Sequence, residues 1–168
     1  MHGVAVHVSG LAGAGKSTLC RALVNAEAGW VHVEADRCLP QASERVYADA
    51  QMIGDLVLAF HESIVAYIAR GFVVLVDGSL PAGPETLRRE CLDALAVANQ
   101  GALVRVEVQI GREAWGRRNP GASLGDRGWL ERQLSMSAAR SERFDLIVDA
   151  EHYDIAQVVM DLKALVNR

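Results

Sequence analysis

The feature that most constrains this chain is a glycine-rich segment near its start, residues 10–17 (GLAGAGKS). Gly10 and Gly15 stand five positions apart and are followed directly by Lys16 and Ser17, which is the pattern of a phosphate-binding loop. Glycines let consecutive backbone N–H groups turn toward one anion, and a helix beginning at Ser17 points its positive dipole end at the same anion. The pattern predicts that Lys16 contacts the β- and γ-phosphates and that the Ser17 hydroxyl binds magnesium. The other loop residues expected to bind nucleotide are Ala12, Gly13, Ala14 and Thr18.

Strand and helix patterns alternate on both sides of this loop. Apolar, valine-rich runs predict five strands, at residues 4–9, 30–34, 72–76, 103–110 and 146–149. The run at 72–76 is apolar on both faces, as in a buried parallel strand. The alternation predicts an α/β fold with a parallel sheet between two layers of helices.

Helical spacing predicts the layers that cover the sheet. Residues 17–25 are predicted to form the first helix, and a longer helix is expected to end at Gly71. Its core-facing stripe is predicted to be Val46, Ala50, Ile53, Val57, Phe60, Ile64 and Tyr67. Further helices are predicted around Cys91 and Leu95, from Glu113, over 129–139, and from Ile155 to Leu165. A flexible loop is expected at 119–125 (NPGASLG).

Composition limits what kind of protein this is. The 168 residues, 51% of them apolar, suffice for one domain spanning 1–168. No apolar stretch approaches the roughly 20 residues of a membrane span, and residues 1–9 lack a signal-peptide pattern, so a cytoplasmic protein without a membrane partner is expected. The net charge of −4 argues against a nucleic-acid partner. Cys20, Cys38 and Cys91 have neither paired nor metal-ligand spacing, so three free, half-buried thiols are expected rather than disulfides or a zinc site.

Acidic residues at strand ends are the next candidates for chemistry. Asp77 closes the most apolar strand, where open α/β sheets bind ligands, and it could organise a magnesium shell or bond to Ser17. The alternative is a carboxylate that caps the following turn. Asp36 follows the second strand and could accept a proton from an acceptor hydroxyl. Glu34 is the alternative candidate for the base, and Asp36 could instead be a solvated loop acid.

Arginines concentrate around the flexible loop. From Arg112 to Arg143 seven arginines face four acidic residues, which gives this segment a net charge of +3 within a chain of −4. Such a segment suits a compact anionic ligand. Arg117, Arg118 and Arg127 flank the loop, and we expect them to belong to a small lid over the phosphates, at about residues 112–130, although each could instead be an ordinary surface arginine.

The order of these motifs resembles a known family. Asp36, VLVDG at 74–78, GDR at 125–127, Gln133 and FDLIVD at 144–149 occur as in the chloramphenicol phosphotransferase-like proteins, within the wider group of shikimate, gluconate and adenylylsulfate kinases. The resemblance implies ATP and Mg²⁺ as cofactors, Asp36 as the base, Arg127 on the phosphates and the strand order 2-3-1-4-5. Two departures stand out: the interval from GDR to Gln133 is short, and Gly78 follows Asp77 where a second acid is expected. Residues 37–61 show no match.

Three functions compete on this basis. The favoured one is an ATP-dependent O-phosphotransferase acting on a hydroxyl of a small molecule, such as an antibiotic or a natural product, nucleoside types included, in resistance or biosynthesis. The second is a central-metabolism kinase of the shikimate or gluconate kind, whose acidic substrate calls for more arginines than Arg37 and Arg45. The third is a nucleotide-binding regulatory module. A guanine-reading NKxD motif is not supplied by NQGA at 99–102. The acceptor and the oligomeric state are left open.

Overall fold

A parallel sheet forms the centre of the computed structural model, which describes residues 3–38, 43–78, 85–98, 103–121, 128, 130–131 and 143–167. Within these ranges the strands are β1 (Val4–Gly10), β2 (Trp30–Glu34), β3 (Val73–Asp77), β4 (Val104–Gln109) and β5 (Leu146–Asp149). They pair in parallel in the order β2-β3-β1-β4-β5. Both the α/β class and the strand order are therefore confirmed, with strand ends predicted to within one residue.

Helices cover both faces of this sheet. They are α1 (Lys16–Ala26), α2 (Ala35–Cys38), α3 (Glu44–Ala48), α4 (Ala50–Ser63), α5 (Val65–Ile68), α6 (Glu85–Ala98), α7 (Arg112–Arg118) and α8 (Ile155–Val166). Of the predicted helix over 129–139 only residues 130–131 are described, and both are helical; most of the loop over 119–125 lies outside the described residues.

Two apolar clusters hold the layers together because strand residues alternate between the faces. On one face Val6, Leu75 and Val106 pack with residues of α1 and α8, including Leu23 and Leu162. On the other face the central strands meet helices α4 to α6, in a cluster of Ala5, Val74, Val76, Phe60, Ile64, Ile68 and Leu95. The central strands are thus buried on both sides, as their continuous apolar sequence predicts.

The predicted long helix is in fact interrupted. The Asp49 side chain accepts hydrogen bonds from the backbone N–H groups of Gln51 and Met52 and so begins α4 as a new helix after α3. A turn at Ile64 then separates α4 from α5. The expected core-facing stripe is correct at Phe60 and Ile64 but wrong at Ala50 and Tyr67, since Ala50 is exposed and Tyr67 is 46% exposed.

The same region bears on the expectation about membrane spans. By length and composition alone, Ala50–Ile68 passes as a possible span, with 19 residues and a mean hydropathy of 1.2. The expectation that no stretch approaches this length is therefore wrong. One such segment is weak evidence for a span, and here Phe60, Ile64 and Ile68 pack against the sheet.

Two histidines are buried beneath this helical layer. His7 on β1 is 1% exposed, and His61 on α4 is 4% exposed, with its Nδ1 2.7 Å from the Val57 carbonyl oxygen. Burial is the main cause that lowers the pKa of His7 to about 3, and the positive charges of His61, Arg105 and Arg88 contribute to the same shift. Burial lowers the pKa of His61 as well. Both rings are therefore neutral in the folded protein at neutral pH.

His7 predicts an acid-sensitive fold. Between about pH 6.5 and pH 3 the unfolded chain protonates His7 and the folded chain does not, so stability falls as the pH falls through this window. Relative to wild type, His7→Leu should reduce the loss of unfolding free energy between pH 7 and pH 5 by about 2 kcal/mol, measured by urea denaturation. An equal loss in His7→Leu and wild type contradicts the prediction.

Candidate functional site

The glycine-rich segment forms a tight loop between β1 and α1. Gly10, Gly13 and Gly15 have φ values of 139°, 74° and 104°, in a region that residues with side chains rarely adopt. A Cβ added to Gly13 would lie 2.8 Å from the side-chain amide of Asn119, so this position also lacks room for a side chain. Helix α1 begins at Lys16, directly after Gly15. The loop geometry predicted from the motif is therefore present, with the helix N-terminus at its end.

The Lys16 side chain folds back over this loop. Its Nζ donates to the carbonyl oxygens of Gly10 and Leu11 at 3.3 and 3.2 Å. The ammonium group is thus held at the loop, where a phosphate group could replace the carbonyl oxygens as its partner.

Helix α7 supports the loop from outside. Trp115, 6% exposed, donates its indole N–H to the carbonyl oxygen of Ala12 at 2.7 Å. Asn119, which follows the helix, donates to the Trp115 carbonyl oxygen at 2.9 Å and lies against Gly13. No sequence pattern predicts this contact of Trp115 with the loop. The hydrogen bond from Trp115 holds the Ala12 carbonyl oxygen in place, so that this oxygen does not take the position of the loop N–H groups.

Arg118 joins the loop to the segment after β5. Its guanidinium donates to the Ala14 carbonyl oxygen at 3.0 Å and to the Ala150 carbonyl oxygen at 2.6 Å. Beside it opens a cavity of about 310 Å³, near the lower limit for small-molecule sites. The cavity is lined by Gly13, Ala14, Gly15, Thr18, Val108, Arg118, Ala150 and Tyr153.

The sequence analysis overlooked the contribution of the β5–α8 connection to this cavity. Ala150 directly follows the last strand, where parallel α/β sheets bind ligands, and that position was the available signal. Arg117 was predicted beside Arg118 as a nucleotide contact, but it pairs with Glu151 at 2.7 Å and does not line the cavity.

Acidic groups meet Ser17 on the opposite side of the loop. The Ser17 hydroxyl donates to Glu34 Oε1 at 3.3 Å, and it is near enough to Asp77 to help lower the pKa of that carboxyl group. Asp77 is 2% exposed and lies 3.3 Å from His32 Nε2. Burial alone would raise the pKa of Asp77. Hydrogen bonds from His32 and Ser17 and the charge of Lys16 outweigh burial and lower the pKa overall. Asp77 is therefore a carboxylate at neutral pH. Hydroxyl and carboxylate oxygens are the donors that Mg²⁺ prefers, so this set fits that ion.

Gly78 explains one departure from the family pattern. A Cβ added there would lie 2.6 Å from the Cβ of Ala35, because the ends of β2 and β3 approach closely. A second acid after Asp77 has no room at this position. Glu34, on the neighbouring strand and in register with Asp77, provides the second carboxylate instead.

The structure describes less of the other residues that were predicted to take part in catalysis. The backbone of Asp36 lies in α2, immediately after β2, and its side chain is outside the described part of the structure. Arg127 also lies outside the described residues. Glu34 is engaged on both sides, since it accepts from Ser17 and pairs with Arg37 at 3.0 Å.

Solved structures similar to this one share its fold across nearly its whole length. A sugar kinase from Janibacter sp. HTCC2649 is 16% identical with a TM-score of 0.67 and covers 98% of this chain and 94% of its own. A gluconokinase from Sinorhizobium meliloti 1021 is 21% identical, with a TM-score of 0.64 and coverages of 98% and 92%. The APS kinase of Mycobacterium tuberculosis, solved with AMPPNP and APS, is 15% identical, with a TM-score of 0.65 and 99% of each chain covered.

Sequence comparison supplies the family. No curated protein matches the chain. A family of chloramphenicol phosphotransferase-like proteins matches residues 3–167. The resemblance inferred from the motifs is thereby confirmed: the chain belongs to the chloramphenicol phosphotransferase-like family and to its enzyme class, the ATP-dependent phosphotransferases.

Proposed function

We propose that this enzyme transfers the terminal phosphoryl group of ATP to a hydroxyl group of an antibiotic or natural product, with nucleoside-type compounds among the candidates. The observation that carries the proposal is the continuity of the site: the phosphate loop has a cavity of about 310 Å³ on one side and the acids Glu34 and Asp77 on the other. A nucleotide could thus span from the cavity, across Lys16, toward a hydroxyl at the ends of β2 and β3.

On the nucleotide side, Arg118 and Tyr153 would hold the base while the loop N–H groups and Lys16 hold the phosphates. Ser17 and Asp77 would bind Mg²⁺ with Glu34 alongside, and the ion would neutralise charge on the transferring group. Arg127, in a lid over about residues 112–130, would add positive charge to the phosphates. In a loose transition state little covalent work remains, so positioning and charge supply most of the rate.

On the acceptor side, Asp36 would orient the hydroxyl and accept its proton. Charge favours a neutral acceptor over a sugar or cyclitol acid. Between α2 and the end of α4 the described residues include two arginines, Arg37 and Arg45, and Arg37 already pairs with Glu34. A carboxylate on the acceptor would have to compete for that arginine.

The function is tested with a panel of acceptors. The protein is incubated with ATP, Mg²⁺ and hydroxylated antibiotics, nucleosides, gluconate or shikimate, and products are examined for a mass gain of one phosphoryl group. A phosphorylated neutral natural product supports the proposal. A product from gluconate or shikimate alone favours the metabolic kinase, and nucleotide hydrolysis without any product favours the regulatory module.

The two candidate bases should respond differently to amide substitution. Asp36→Asn should lower kcat by about 10²- to 10⁴-fold with ATP binding nearly unchanged, because it removes the proton acceptor alone. Glu34→Gln should weaken Mg²⁺-dependent nucleotide binding, because Glu34 bonds to Ser17. Kinetics and equilibrium nucleotide binding separate the two effects. Full activity in Asp36→Asn removes it from the mechanism.

Neighbouring arginines offer a matched pair on the nucleotide side. Arg118→Ala removes two charge-assisted hydrogen bonds that join the loop to Ala150, so KM for ATP should rise by about tenfold or more. Arg117→Ala breaks an exposed ion pair with Glu151 and should change KM by less than about threefold. Equal effects of the two substitutions contradict the assigned role of Arg118.

A further inference from the structure

A cysteine, a histidine and an aspartate converge behind the phosphate loop. Cys20 lies on α1, His32 on β2 and Asp77 on β3, and one potential ligand atom from each lies within 4.8 Å of the others. Among the described residues, no other group of three or more His, Cys, Asp or Glu side chains meets this distance condition. Cys20 and Asp77 are buried, and His32 is 11% exposed, which leaves a route from solvent to one ligand.

Other contacts support this convergence. His32 Nε2 and Asp77 Oδ2 are already 3.3 Å apart. The Cys20 thiol also lies near Asp77. Burial is the largest cause that raises the pKa of this thiol, and the negative charge of the Asp77 carboxylate is the second. Around a tetrahedral Zn²⁺ with bonds of 2.0 to 2.3 Å, ligand atoms lie roughly 3.3 to 3.8 Å apart. A shift of about 1 Å, chiefly of the cysteine sulfur, would meet this requirement.

We propose that Cys20, His32 and Asp77 form a binding site for a thiophilic divalent cation of the Zn²⁺ class. Zinc binds thiolate sulfur, imidazole nitrogen and carboxylate oxygen, which are the three ligand types present here. Mg²⁺ prefers oxygen ligands and does not bind a cysteine sulfur well. Binding forms a bond from the metal to each of the three ligand atoms, and the thiol proton of Cys20 leaves to solvent. The fourth position is free for water.

The site shares Asp77 with the proposed magnesium shell. A cation bound by Cys20 and His32 draws the carboxylate away from Ser17, so the two metals exclude each other. Zn²⁺ is therefore an inhibitor that acts from behind the phosphate loop. This consequence rests on the proposed function, whereas the binding of the cation does not.

Binding is tested on the full chain without nucleotide, with Co²⁺ as a spectroscopic probe for Zn²⁺. The expected result is one equivalent of Co²⁺ with a thiolate-to-cobalt absorption band. Cys20→Ala should abolish the band, and Cys38→Ala, at an exposed cysteine, should retain it. His32→Gln should weaken Co²⁺ affinity by more than about tenfold. Absence of the band in wild type, or its persistence in Cys20→Ala, overturns the proposal.

Two further measurements keep the outcomes distinct. Circular dichroism verifies folding, and Cys20→Ser repeats the test should Cys20→Ala be unfolded.

In the phosphorylation assay, the Zn²⁺ concentration that halves activity should rise by about tenfold or more in Cys20→Ala and remain unchanged in Cys38→Ala. Inhibition that is equal in both variants overturns the competition through Asp77. If no acceptor is phosphorylated, the proposed function fails and the cobalt spectrum still decides the metal site.

Discussion

The parallel register of the central strands is the constraint on which the rest of the structure depends. Val8 of β1 lies opposite Asp77 of β3, and Asp77 lies opposite Glu34 of β2. On the other side Gly10 lies opposite Val108 of β4. Parallel strands end at one edge of a sheet, so this register brings the loop, the acids and the cavity wall together. A shift of one residue in any strand would turn its acid to the other face.

The phosphate loop is held by contacts from distant parts of the chain. Trp115 and Arg118 each donate to a loop carbonyl, at Ala12 and Ala14, and Arg118 also donates to Ala150 beyond β5. These contacts occupy carbonyl oxygens that would repel a phosphate and leave the N–H groups as its natural partners. Arg118 therefore contributes more than positive charge, because it couples the loop to the cavity wall opposite. Within the described part of the chain, its neighbour Arg117 pairs with Glu151 instead.

Asp77 connects the two chemistries inferred for this site. Its carboxylate is near the Ser17 hydroxyl, which is proposed to face the nucleotide, and near the side chains of His32 and Cys20. A buried carboxylate needs such partners, since an unpaired charge in this position would be costly. The same polar surroundings that keep Asp77 ionised would serve the proposed magnesium ion and would also complete the proposed ligand set with sulfur and nitrogen. If both proposals hold, the neighbours of Asp77 that join it as ligands would determine which metal binds.

The sequence by itself determined the α/β class, the strands and the phosphate loop, because periodicity and the glycine, lysine and serine spacing are local properties of the chain. Through the resemblance it also indicated the strand order and the family. Tertiary structure alone decided which arginine turns to the loop, why Gly78 excludes a second acid and why the stripe expected to face the core fails at Tyr67. It also brought together Cys20, His32 and Asp77, whose spacing of 12 and 45 residues carries no metal-ligand signal. Side chains from separate strands and helices meet through packing and register, and those are properties of the whole fold.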